Sequence, residues 1–112
     1  MNISWSEIKP YENELPTNYA DRIGRLYTDT VTAAFKKSNG QFFTPVSIAY
    51  FMGKQISVNK DSVSVLDPGC GTAILSCAMI ENLVLQSKVK QIELVTYETD
   101  ENLIPGLQKV LE

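Results

Sequence analysis

The sequence predicts an α/β fold in which amino-terminal helices lead into a parallel βαβα unit. Three observations carry that prediction. Val63 to Leu75 reads as a β-branched strand, an acidic residue, a glycine-rich turn and the start of a helix. Ile92 to Tyr97 repeats the strand pattern after a connection of helical length, which a parallel pair requires and which chain handedness makes a right-handed crossover. Upstream, apolar residues recur at i, i+3 and i+4 from Ile23 to Phe35, the spacing of an amphipathic helix.

Residues 1–17 read as an irregular arm, because Pro10, Asn13, Pro16 and Asn18 interrupt any period. Trp5, Ile8, Tyr11 and Leu15 are its candidates for packing on the domain surface. Residues 18–112 form the body. Thr17 or Asn18 caps the first helix, and Asp21 sits in its favourable first turn. Ile23, Leu26, Tyr27, Thr30, Val31, Ala34 and Phe35 make its apolar face, Lys36-Lys37 complements the dipole at its end, and Ser38-Asn39-Gly40 closes it. Thr44-Pro45 reads as the N-cap and first residue of a second helix, with Ile48, Ala49, Phe51, Met52 and Ile56 as its buried face.

The first strand, Ser62 to Asp67, is expected to be covered, with Val63, Val65 and Leu66 inside and Pro68 ending it. Thr72 is placed to cap the next helix, which runs from Ala73 to about Leu85 with Ile74, Leu75, Ala78, Met79, Leu83 and Val84 as its stripe. The second strand ends in Glu98. Asp100 suits either a helix cap or a second acidic site group. Asn102 as cap would put Pro105 at the third helical position, so the last helix starts late or kinks.

The chain has 112 residues, enough for one small domain, and its 44% hydrophobic and 21% charged residues are an ordinary soluble composition. No apolar run approaches the roughly 20 residues of a membrane span, and the start lacks a signal-peptide pattern. A net charge of −3 gives this segment no electrostatic footprint for nucleic acid. Cys70 and Cys77 lie too far apart along a turn and helix for a disulfide, and two free thiols suit a reducing cytoplasm. Without histidine or a C-x-x-C pair, zinc and a histidine-dependent nucleophile are both excluded from these residues.

Asp67 stands at the carboxyl end of a strand, where open α/β sheets hold their ligands. Gly69 and Gly71 admit backbone angles closed to other residues and let a ligand approach the main chain. The turn is neither G-x-G-x-x-G, since Ile74 fills the sixth position, nor a P-loop, since no G-K-[ST] follows. A carboxylate at this point repels a pyrophosphate and attracts an ammonium, so the ligand should carry an amine and no phosphate. Glu98 lies 27 residues after Gly71, where a carboxylate accepts two hydrogen bonds from a ribose diol. Thr44 and nearby amides serve either as a capped helix start or as a loop beside a carboxylate ligand.

Gly40-Gln41-Phe42-Phe43-Thr44-Pro45, Asp67-Pro68-Gly69-Cys70-Gly71-Thr72 and Tyr97-Glu98-Thr99-Asp100, in that order, resemble the amino-terminal half of the catalytic domain of N6-adenine DNA methyltransferases from restriction–modification systems. The middle motif alone marks S-adenosylmethionine enzymes broadly; the aromatic-Thr-Pro loop at this spacing narrows the resemblance to DNA. It implies a partial Rossmann-like methyltransferase fold with S-adenosylmethionine as cofactor. Phe43, Thr44 and Pro45 would lie at the methionine carboxylate, and Asp67 would face the ammonium. Pro68, Gly69, Gly71 and Thr72 would wrap the methionine moiety. Glu98 would take the ribose, with Thr99 beside the adenine.

Two departures stand out. The usual third glycine is Ala73, which costs little if that residue is already helical. Thr99 replaces a larger apolar side chain that packs on the adenine ring. The family's catalytic [ND]-P-P-[YFW] segment does not occur, nor do later strands. The chain is therefore expected to be a fragment, silent alone, with double-stranded DNA engaged through regions downstream. The alternatives are a non-catalytic interaction module and a protein or small-molecule methyltransferase. A first strand without its neighbour on one side would leave an open edge, covered by the arm or by a homodimer pairing first strands across a two-fold axis.

Overall fold

The computed structural model describes residues 5–29, 44–85 and 88–112. A 3-10 turn at Trp5–Glu7 precedes α1 (Pro16–Thr28), α2 (Val46–Gly53), β1 (Ser62–Pro68), α3 (Ile74–Leu85), β2 (Gln91–Tyr97) and α4 (Ile104–Leu111). β1 and β2 pair in parallel, with Ser62 opposite Gln91 and Pro68 opposite Tyr97, so both strands end level. The expected mixture of helices and a parallel strand pair is present, with α3 as the connection between the strands.

The core lies between the helices rather than on the strand. Tyr19, Ala20 and Ile23 of α1, Ala49 of α2, Ile74, Cys77 and Ala78 of α3 and Leu107 and Val110 of α4 form one buried cluster with Cys70 and Ala73. α3 is the centre of this layer, packed by α1 and α2, while α4 packs on α1. The sheet buries only one face. Val65 is buried, but Leu66 is 64% exposed, against the expectation that it points inward. Leu66 pairs with Val95 and Pro68 with Tyr97, and both β2 residues are exposed as well. Parallel sheets are normally covered on both faces, and here the face that carries Leu66, Val95 and Tyr97 is exposed.

Helix boundaries differ from the sequence reading in instructive ways. Pro16 does not break α1 but begins it; a first-turn proline loses no helical hydrogen bond and brings a preset φ. Thr17 and Asn18 therefore lie inside the helix, and neither caps it. Instead, the Thr17 amide donates to Glu81 Oε2 of α3 at 3.1 Å, and its hydroxyl donates to the same oxygen. A carboxylate from a neighbouring helix thus occupies an amide that α1 cannot satisfy itself. α1 ends at Thr28 with Asp29 as C-cap, short of the expected end, and Leu26 is partly exposed. The expectations for Thr30 to Phe43, including Lys36-Lys37, lie outside the described residues.

In α2 the cap is Pro45, not Thr44, and it makes no side-chain capping bond. The helix buries Ala49 and Gly53, leaving Ile48, Phe51 and Met52 exposed where the sequence suggested a buried face. Close approach explains the choice: a Cβ on Gly53 would sit 3.0 Å from the Ala78 carbonyl carbon and oxygen. Asn82 Nδ2 then donates to Gly53 O at 3.1 Å and Ile56 O at 3.2 Å, tying off the end of α2. In α3, Ser76 and Cys77 are buried, whereas Val84 is exposed.

The arm docks on the helix layer. Tyr19 donates its hydroxyl to Ile8 O at 2.9 Å. Arg22 bridges Glu14 at 2.8 Å and donates to Lys9 O, stacking its guanidinium 3.9 Å from the Tyr11 ring centre. The last helix starts late, as Pro105 required: Leu103 is its N-cap and the proline falls in the first turn. Among the described residues no helix is long and apolar enough to cross a membrane.

Candidate cofactor site at the carboxyl ends of the strands

The level strand ends bring Asp67, Gly69, Gly71 and Glu98 to one place. The Cys70 amide donates to Tyr97 O at 2.9 Å, which closes the turn after β1 onto the end of β2. Gly71 N–H donates to Glu98 Oε1 at 2.9 Å. The Asp100 amide donates to Glu98 Oε2, also at 2.9 Å. Glu98 is thus held by a backbone amide from each of the two loops. Each carboxylate oxygen keeps a further lone pair, so the held group still accepts from a diol.

The turn needs left-handed backbone at three alternate residues: Gly69 (φ 65°), Gly71 (φ 59°) and Ala73 (φ 67°). The two glycines take this conformation without cost. A Cβ at Gly69 would meet nothing within 4 Å, so open space lies in front of it. Ala73 overturns the expectation of a helical residue there. α3 starts one residue later, at Ile74, and the fully buried alanine carries a strained backbone.

Thr72 does not cap α3. Its buried hydroxyl donates to Ala20 O of α1 at 2.9 Å, fastening the turn to the helix layer. Asp67 Oδ2 accepts from Ser76 Oγ on α3, which leaves Oδ1 for a ligand. Asp100 is a turn cap and a strut together: Oδ1 accepts from Asn102 N–H at 3.0 Å, and Oδ2 accepts from the Tyr27 hydroxyl of α1. Ser76 and Ala20 were not singled out in the sequence, and Tyr27 was read only as part of the apolar face of its helix. Ser76 carried a signal, a hydroxyl on the apolar side of its helix; Tyr27 and Ala20 carried none.

Thr99 is exposed beside Glu98. Thr44 is half-buried and Pro45 exposed at the start of α2, and no hydrogen bond joins them to the turn among the described residues. Phe43 lies outside those residues. Burial pushes the Cys70 thiol up. Burial, then the charges of Glu81 and Asp67, pushes Cys77 up to about 12. Both cysteines are free and protonated, so neither is an activated nucleophile. Among the described residues no three His, Cys, Asp or Glu side chains converge as a metal site.

The arrangement suits a cation and a diol. Asp67 and Glu98 flank a glycine turn with open space at Gly69, and the hydrogen bonds they accept among the described residues come from a hydroxyl and two backbone amides.

The family model described as "N-6 DNA Methylase" matches residues 19–105. Type II methyltransferase M.AccI of Acinetobacter calcoaceticus is 32% identical over 90 residues, covering 80% of this chain and 16% of that protein. Type II methyltransferase M.BsuBI of Bacillus subtilis is 38% identical over 77 residues, covering 68% of this chain and 15% of the relative. No solved structure matches the chain significantly.

Proposed function

The chain belongs to the N-6 DNA methylase family, and from that premise we propose that it is the S-adenosylmethionine-binding segment of a DNA adenine methyltransferase of a restriction–modification system. The strand pair with α3 and α4 is read as the start of a Rossmann-like methyltransferase domain. The observation that carries the reading is the union of Asp67 and Glu98 at the level ends of two parallel strands, beside an open glycine turn.

The cofactor supplies an electrophilic methyl group on a sulfonium. The chain's residues hold and orient it. Asp67 Oδ1 accepts from the ammonium; Glu98, fixed by the Gly71 and Asp100 amides, accepts from the ribose hydroxyls. Gly69 leaves the approach to the main chain clear. Thr44, Phe43 and Pro45 serve the carboxylate, and Thr99 lies along the adenine. Phosphate-bearing nucleotides are rejected by the same carboxylates. The target adenine of double-stranded DNA, turned out of the helix, is handled by segments outside these residues, and the chain alone transfers no methyl group.

The test is an NMR titration with S-adenosylmethionine. Binding lost in Asp67→Ala and Glu98→Ala, with both variants folded, supports the proposal. Binding that both variants retain removes it. The strained Ala73, where a glycine would suit the backbone, favours a second reading, a methyltransferase-like interaction module without turnover. Absence of binding by the parent sequence supports that reading over the first.

A further inference from the structure

Ser76 is 1% exposed, on the side of α3 that it shares with the fully buried Leu83. A hydroxyl placed so deep needs a partner, and it finds one outside its own helix, in Asp67 Oδ2 at the end of β1. The carboxyl torsion of an aspartate is broad. Left to itself, Asp67 would sample orientations that a ligand must then freeze, and freezing a side chain weakens binding.

We infer that Ser76 is the positioning residue for the amine end of the cofactor. Its hydroxyl occupies Oδ2, sets the carboxylate plane, and leaves Oδ1 as the acceptor for the ammonium. Ser76 touches no ligand itself; it acts through Asp67. The inference rests on the cofactor reading above. It adds to it that affinity for the amino-acid half of the ligand is set from within α3, separately from affinity for the adenosine half, which Glu98 serves.

The experiment compares two probes by NMR titration of the full chain. S-adenosylhomocysteine carries the amino acid; 5′-methylthioadenosine keeps the adenosine and thioether without it. Ser76→Ala removes one hydroxyl from a site that stays apolar, and thermal melting confirms that the variant folds. It should bind S-adenosylhomocysteine about five- to tenfold more weakly, the effect of one hydrogen bond, and 5′-methylthioadenosine unchanged. In an Asp67→Asn background the same substitution should add nothing further, because coupled residues are not additive. Equal losses for both probes, no loss for either, or full additivity with Asp67→Asn overturns the role of Ser76 and leaves the cofactor reading standing. Failure of the unaltered chain to bind S-adenosylhomocysteine overturns both.

Discussion

Replacing Ala73 by glycine should leave stability almost unchanged, although the side chain removed is fully buried. The methyl group lies in the core cluster with no exposed surface, and its burial contributes roughly 0.8 kcal/mol. Its backbone, at φ 67°, costs a non-glycine residue about 1–2 kcal/mol. Glycine relieves that strain, loses the burial, and loses about 0.5 kcal/mol more through its freer unfolded chain. The sum runs from about 0.3 kcal/mol lost to about 0.7 kcal/mol gained. Ala78→Gly is the matched control, because Ala78 is equally buried but sits inside α3. There glycine loses the same methyl and about 1 kcal/mol of helix propensity, close to 2 kcal/mol in all. Urea unfolding followed by circular dichroism should therefore separate two chemically identical substitutions by about 1.5–2.5 kcal/mol. Equal losses would refute the left-handed assignment of residue 73. If the strain also crowds the ligand, Ala73→Gly should bind S-adenosylmethionine more tightly than the parent sequence.

Gly53→Ala should destabilise by up to about 2 kcal/mol despite its better helix propensity, because the new Cβ would lie 3.0 Å from backbone atoms of Ala78 that cannot rotate away; a stabilised variant would show that α2 and α3 are further apart. The Cys77 thiol, raised from 9.0 to about 12, is more acidic in the unfolded chain than in the folded one. Its contribution to stability is therefore complete below pH 9.0 and is lost as pH rises towards about 12. Cys77→Ala should flatten that part of the alkaline decline in melting temperature, and an unchanged slope would count against it. The open sheet face, with Leu66 and Tyr97 64% and 61% exposed, should make the chain self-associate in a concentration-dependent way. Light scattering that finds a monodisperse monomer, with rapid amide exchange across residues 62–67, would count against pairing through the first strand.

The parallel connection, the strand ends and the late start of α4 were legible because each rests on a local constraint. A proline in a first turn, a glycine at positive φ and a β-branched run all act within a few residues. The buried faces were less legible. Periodicity ranks residues by apolar area, and in α2 that picks Ile48, Phe51 and Met52. The packed face is instead Ala49 and Gly53, because the backbones of α2 and α3 approach too closely for larger groups. The strand pattern had the same blind spot. Val65 and Leu66 look alike in sequence, and only the side of the sheet each one faces tells them apart: Val65 is buried and Leu66 exposed.

The site divides along the same line. That Asp67, Gly69, Gly71 and Glu98 meet at the strand ends could be read directly, since a strand pattern and a glycine turn act locally. The bonds that fasten the surrounding loops to α1 could not, because Tyr27 reaches Asp100 over 73 residues and Thr72 reaches Ala20 over 52. Ala73 lies on the boundary between the two cases. Its departure from glycine was visible, but its cost depended on whether α3 begins at residue 73 or 74. A shift of one residue is ordinary uncertainty for a helix end. Here it moves the residue from right-handed to left-handed backbone and turns a mild substitution into a strained one. A motif residue at an element boundary thus owes its energetic meaning to a dihedral angle, and the same alanine one position later would carry no strain.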